Sequence, residues 1–75
     1  MHERVKLVIG SILDLDPNSI GESTRAENTP TWDSINHIKM IVALEDEFNV
    51  IFEVEEIQSL VSYHAITGAL ELRGV

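Results

Sequence analysis

Apolar side chains recur at helical spacing in several separate segments, and this pattern constrains the fold more than any other feature of the sequence. In the first segment they are Val5, Val8, Ile9, Ile12 and Leu15. Steps of three and four residues place such side chains on one face of a helix, whereas a half-buried strand would alternate apolar and polar residues. Only the short run Val50-Ile51-Phe52 resembles a strand. The pattern therefore predicts an all-α fold.

The first helix is predicted over residues 3–15. It ends at Asp16-Pro17, because proline lacks a backbone N–H and disfavours the helical conformation in the residue before it. Residues 16–32 contain both prolines and many turn-forming residues, which predicts a long loop between the first two helices. We expect this loop to be ordered and held on the core by Ile20, with Ala26 and Trp32 as lesser anchors.

The second helix is predicted to begin at Ser34 and to end near Asn49. Asp33 or Ser34 occupies the N-cap position, since either side chain can accept a free backbone N–H of the first turn. The apolar stripe of this helix consists of Ile35, Ile38, Ile41, Val42, Leu44 and Phe48. Its length and regular spacing make it the strongest helix of the chain.

A short third helix is predicted over residues 54–61, and a last helix follows Ser62 as its cap. The third begins among acidic residues, which suit the positive end of a helix dipole. Gly68 lies inside the last helix and costs it about 1 kcal/mol relative to alanine. Together these elements predict a small four-helix bundle, with three main helices and one short one, in a single domain of residues 1–75.

The charge balance limits the possible partners. Thirteen acids and five bases give a net charge of −8. Such a surface repels nucleic-acid phosphates and anionic lipid, so we expect basic protein partners, no nucleic acid and no membrane insertion. Cysteine is absent, which excludes disulfides and thiolate zinc sites. No signal-peptide layout is present at the N-terminus, so a cytoplasmic location is expected.

The most informative position is Asp33-Ser34, where the long loop meets the strongest helix. A serine at a helix start lies beside backbone N–H groups that have no partner. A phosphate on its oxygen would face the positive end of the helix, and Asp33 could offer a hard oxygen ligand to a divalent cation. Serine and aspartate are also common N-caps, and position alone favours that simpler role.

Four segments match the motifs of one protein family in order and spacing. They are Leu15-Asp16-Pro17-Asn18-Ser19-Ile20, Asp33-Ser34-Ile35, Ala43-Leu44-Glu45-Asp46-Glu47-Phe48 and Glu55-Glu56-Ile57. The second resembles the Asp-Ser-Leu signature of acyl carrier proteins, in which the serine receives 4′-phosphopantetheine. The first is similar to the stretch that follows helix one in that family, and the third to its Ala-Leu-Glu-Glu-Glu-Phe segment. The resemblance covers nearly the whole chain.

This resemblance implies that Ser34 carries a covalent 4′-phosphopantetheine cofactor, on which an acyl group is held as a thioester. It implies a phosphopantetheinyl transferase as a partner, with coenzyme A and magnesium, and Asp33 matches the aspartate that helps the transferase hold that magnesium. The carrier itself would not be an enzyme. It would be a monomer that serves acyl-loading and acyl-accepting enzymes of fatty-acid, polyketide-like or specialised acyl or aminoacyl biosynthesis.

The same resemblance implies a partner-binding surface on the second helix. Its expected residues are Ile35, Met40, Glu45 and Glu47. Asn36 and Lys39 stand where fatty-acid carriers usually have aspartate and glutamate, which weakens the acidic face and alters the expected set of partners. Trp32 before the motif is similar to specialised carriers, although it is equally explained as an aromatic that covers the end of the bundle. The cargo and the loading enzyme stay open.

The residues also suggest three alternatives to the carrier. A hydrolase could use Asp33, Ser34 and His37, which are neighbours on one helical turn, but that turn offers no oxyanion hole or enclosed pocket. A non-catalytic acidic adaptor would bind a basic partner without modification of Ser34. A calcium loop starting at Asp14-x-Asp16-x-Asn18 fails at the turn glycine and at the final glutamate that such a loop requires.

Overall fold

The four predicted helices are all present in the computed structural model, which describes all 75 residues. They are α1 (His2–Leu13), α2 (Ser34–Phe48), α3 (Val54–Ile57) and α4 (Tyr63–Leu72). The loop between α1 and α2 contains two 3₁₀ turns, and the run 50–52 does not form a strand. The prediction of an all-α fold is therefore confirmed. No helix has the length and apolar character needed to cross a membrane.

Two helices end at a residue in the left-handed conformation. Asp14 follows α1 with φ 58°, and its N–H donates to the carbonyl of Gly10. Asn49 follows α2 with φ 54°, as predicted for the end of that helix. Short polar side chains tolerate this conformation better than most residues do. The first helix was predicted to reach residue 15. It ends at Leu13, because the left-handed conformation of Asp14 stops the helix before Pro17 is reached.

The third helix is shorter than predicted. It ends at Ile57, and tighter backbone bonds from the next residues replace the helical pattern before α4 begins. The backbone of Val61 accepts the N–H of Ala26, and the N–H of Tyr63 donates to the carbonyl of Thr24. This pairing with the long loop keeps the chain extended, so the helix cannot continue to residue 61. Ser62 caps α4 as predicted, since its hydroxyl accepts the N–H of Ala65.

One apolar cluster forms the core and draws on every helix except α3, as well as on the loops. Its members are Val5, Ile9, Leu13, Ile20, Trp32, Met40, Ile41, Leu44, Phe48, Phe52, Leu60, Tyr63, Ile66, Ala69 and Leu70. The predicted anchors Ile20 and Trp32 are only 3% and 6% exposed, and Ala26 packs against the cluster half-buried. The long loop is therefore ordered on the core, as expected.

The predicted apolar stripe of α2 is only partly buried, since three of its six members are exposed. Ile35, Ile38 and Val42 are 68%, 54% and 58% exposed, whereas Met40 is fully buried. The helix carries apolar residues on two faces, and the core covers the face that contains Met40 and Leu44. Met40 was also predicted to contact partners; this is a correction, because a fully buried side chain offers no surface.

Replacement of Met40 tests which face of α2 is buried. We expect Met40→Ala to lower the free energy of unfolding by about 2–5 kcal/mol, because it removes buried apolar groups and leaves a cavity. The matched control is Val42→Ala, two residues away on the exposed face, which should change stability by no more than about 0.5 kcal/mol. Urea denaturation of both variants measures this, and equal losses would contradict the assignment of the faces.

The end of α4 is tied back to α3 by Arg73. Its guanidinium donates to both carboxylate oxygens of Glu56, at 2.9 Å for the contact to Oε2, and to the carbonyl of Ala69. It also lies over the ring of Phe52, 4.7 Å from the centroid. The hydrogen bond from Arg73 is the main reason that the pKa of Glu56 lies below its ordinary value of 4.5. The ionised pair therefore contributes to the stability of the fold.

We expect Glu56→Gln to lower the free energy of unfolding by about 1 kcal/mol at neutral pH. A carboxyl whose folded pKa is lowered contributes its full stability above pH 4.5 and loses it as the pH falls through the folded value. The difference between native protein and variant should therefore shrink below that pH. Denaturation at several pH values measures it, with the exposed Glu55→Gln as control. A difference that does not depend on pH would refute the role of the ion pair.

Candidate functional site

Asp33, and not Ser34, is the N-cap of α2. Its Oδ1 accepts the backbone N–H of Asn36 at 2.8 Å, and Ser34 is the first helical residue. The hydroxyl of Ser34 takes no part in the cap and forms no hydrogen bond within the protein. The two alternatives for the cap, which the sequence left open, are thus resolved. Ser34 is exposed, and its oxygen is available for chemistry.

The helix start around Ser34 is held by further bonds to the loop. The side-chain amide of Asn36 donates to the carbonyl of Thr31 at 2.9 Å, and the N–H of Asp33 donates to the same carbonyl at 3.0 Å. The backbone N–H groups of Ser34 and Ile35 have no acceptor within the protein. These free donors, together with the positive end of a 15-residue helix, create a favourable position for a negative charge.

An open groove lies beside Ser34. It has a volume of about 350 Å³ and is lined by Ala26, Trp32, Asp33, Ser34, His37, Ile38 and Val61. The walls come from three places, namely the long loop, the first turns of α2 and the segment before α4. Asp33 and Ser34 supply polar atoms, and the rest of the lining is mostly apolar. The loop pairing described above brings Val61 to this groove.

His37 does not form the triad that a hydrolase would need. Its Nδ1 accepts the indole N–H of Trp32 at 3.0 Å, and its Nε2 lies 2.9 Å from the carbonyl of Ile57. An indole N–H can only donate and a carbonyl can only accept, so Nδ1 is the unprotonated nitrogen and Nε2 carries the hydrogen. Both ring nitrogens are occupied, which leaves none to take the proton of Ser34.

The remaining residues of α2 that were predicted to contact partners differ in exposure and in their contacts within the protein. Ile35 is exposed, as a contact residue must be. Glu45 is half-buried and accepts the backbone N–H of Phe52 at 2.9 Å, and Glu47 pairs with Arg4 at 2.9 Å. Both acids are thus engaged in contacts within the fold, and whether they also meet a partner stays a prediction.

Two further exposed residues on α2 escaped the sequence analysis. Ile35, Ile38 and Val42 follow one another at helical spacing and share a face, which we call the α2 apolar face. The sequence did indicate this second face, because α2 contains more apolar residues than a single core-facing stripe needs. Ile35 was already predicted to contact partners, but periodicity alone gave no reason to place Ile38 and Val42 on the same exposed face.

No group of three or more histidine, aspartate or glutamate side chains lies close enough to hold a metal ion. The acids of the discarded calcium motif have local roles. Asp16 accepts the N–H of Asn18 at 2.9 Å and caps the first 3₁₀ turn, and Asp14 closes α1.

The sequence matches no protein-family model, and no curated protein matches it either. Ser34 and the groups around it offer a free hydroxyl, two unpaired N–H groups, a neighbouring carboxylate and an open groove.

Substitutions of Asp33 and Ser34 test whether Asp33, and not Ser34, caps α2. Asp33→Ala should lower the free energy of unfolding by about 1 kcal/mol, because the N–H of Asn36 loses its acceptor. Asp33→Asn should stay close to the native value, since asparagine caps helices as well as aspartate does. Ser34→Ala should also be nearly neutral. Thermal or urea denaturation measures all three, and a larger loss for Ser34→Ala than for Asp33→Ala would contradict the assignment.

Proposed function

We propose that the protein is an acyl carrier protein that holds its cargo as a thioester on a 4′-phosphopantetheine arm attached to Ser34. The observation that carries this proposal is the exposed Ser34 hydroxyl, free of any hydrogen bond at the start of α2 while Asp33 supplies the cap. The sequence resemblance points to the same residue. A serine that serves only as a cap would have its oxygen on a backbone N–H.

The residues present fit such an arm. In the attachment step, the Oγ of Ser34 forms a bond to the phosphorus of coenzyme A that bears the pantetheine. The diphosphate bond breaks, adenosine bisphosphate leaves, and the hydroxyl proton passes to the transferase or to water. Asp33 has one carboxylate oxygen on the cap and a second one that could reach the transferase's magnesium. The new phosphodiester charge would lie near the free N–H groups of Ser34 and Ile35.

The arm supplies the thiol that this cysteine-free chain lacks, which is what allows an acyl group to be carried as a thioester. The chain's own contribution is to present the attachment point and to meet the enzymes that load and unload the cargo. The α2 apolar face begins one residue after Ser34, so a partner bound there would be next to the arm. The net charge of −8 favours basic partners and would speed their encounter.

The departures from fatty-acid carriers favour a specialised carrier over a housekeeping one. Asn36 is engaged in holding the helix start, and Lys39 places a positive charge on the exposed surface of α2. A partner that fits this surface would differ from one that requires acids at both positions. Such a carrier would work in the cytoplasm as a monomer.

Modification in vitro tests the proposal. The purified chain is incubated with coenzyme A, magnesium and a broad-specificity phosphopantetheinyl transferase, and its intact mass is recorded. We expect the mass to increase by one phosphopantetheine, and Ser34→Ala to remain unmodified. The matched control is Ser11→Ala, which removes another exposed serine on a helix and should be modified like the native chain.

Asp33→Asn separates the two roles of that residue. It keeps the cap, so a slower modification of this variant at unchanged stability would support a role of the carboxylate with magnesium. No mass gain of the folded native chain with several transferases would refute the carrier and favour the alternative of an acidic adaptor.

A further inference from the structure

The side chain of His37 joins three elements of the fold next to Ser34. It belongs to α2, accepts a hydrogen bond from Trp32 of the long loop and donates one to the carbonyl of Ile57 at the end of α3. Trp32 lies five residues before His37 and Ile57 twenty residues after it, and the two bonds are 3.0 and 2.9 Å long. No other side chain on α2 bridges two elements in this way.

Trp32 depends on His37 for the only polar partner of its ring. Trp32 is 6% exposed, and its indole N–H donates to Nδ1 of His37 alone. The two rings lie nearly parallel, with an angle of 24° between their planes. A buried donor that loses its acceptor costs free energy, so the indole would shift if His37 could not accept from it.

The position of Trp32 in turn affects the helix start. Trp32 directly precedes the cap Asp33 and the serine, and it lines the same groove as Ser34. A movement of the indole would therefore change both the groove and the backbone that carries Asp33. His37 also connects the end of α3 to α2, through the hydrogen bond from its Nε2 to the carbonyl of Ile57.

We propose that His37 is a positioning residue, which acts through Trp32 to hold Asp33 and Ser34 in one geometry. The two ring nitrogens have separate tasks: Nδ1 holds the loop and Nε2 holds the end of α3. The expected effect of His37 on the modification of Ser34 rests on the proposed function. The expected effect of His37 on the positions of Trp32 and Ser34 does not depend on that function.

Three substitutions separate the tasks of the two nitrogens. His37→Asn offers an acceptor in place of Nδ1, His37→Gln offers a donor in place of Nε2, and His37→Phe keeps the ring and offers neither. The chain has a single tryptophan, so one indole N–H resonance reports the Trp32 contact without assignment. We expect this resonance to move in His37→Phe and His37→Gln and to stay near its native position in His37→Asn.

The backbone N–H resonance of Ser34 shows whether the effect reaches the site. It should move together with the indole resonance in His37→Phe and recover in His37→Asn. His64→Phe is the matched control, since His64 is exposed and contacts Glu22 away from the groove, and it should move neither resonance. Trp32→Phe should move the Ser34 resonance as His37→Phe does, because it removes the same contact from the other side, and well-dispersed amide resonances show that each variant is folded.

The kinetics of modification give the functional readout. We expect His37→Phe to lower the transferase kcat about tenfold, because a small misplacement of a reacting group is costly. The KM for the carrier should change little, since the α2 apolar face is untouched. His37→Asn should recover most of the kcat.

The outcomes are distinguishable. If the native chain is never modified, the proposed function fails, and the two resonances still decide whether His37 positions Ser34. If the Ser34 resonance stays in place in His37→Phe, or if His37→Asn behaves like His37→Phe, the positioning role is overturned. An unchanged kcat in His37→Phe would overturn it as well.

Discussion

The burial of the long loop on the helices is the interaction on which the rest of the structure depends. A chain of 75 residues has few apolar side chains to spare, and the loop supplies Ile20 and Trp32 to a core that α1, α2 and α4 could not close alone. Once Trp32 is buried, the chain that follows it has little freedom. Asp33 is brought to the start of α2, its carboxylate takes the cap, and Ser34 is left with a free hydroxyl. The geometry of the candidate site is thus a consequence of core packing.

Periodicity and cap residues were sufficient to predict the helices of this fold. Ser34, Asn49 and Ser62 mark helix boundaries through local chemistry, which a sequence displays directly. Apart from the end of α1, which Asp14 sets locally, the errors arose where distant parts of the chain meet. The end of α3 is set by backbone pairing with the loop around Arg25, more than thirty residues earlier. The exposure of Ile38 was not predicted, because periodicity cannot tell which of two apolar faces the core will cover.

At the candidate site, too, features set by neighbouring residues could be predicted from the sequence, and features set by distant residues could not. Ser34 was found from its place at a helix start and from the family resemblance, both of which depend on neighbouring residues. The role of His37 was not found, because its partners lie five residues before it and twenty after it. A sequence shows that a histidine is near a serine; only the fold shows that both of its nitrogens are already occupied.

The α2 apolar face has a consequence for how the molecules behave towards one another. Three exposed aliphatic side chains on one helix would, on a neutral protein, favour contact between copies. Here each copy carries a charge of −8, and like charges oppose close approach over a Debye length of about 8 Å at physiological ionic strength. A basic protein experiences the opposite force at the same surface. On the proposed function, the charge would oppose contact between copies at the α2 apolar face and attract a basic partner to the same surface.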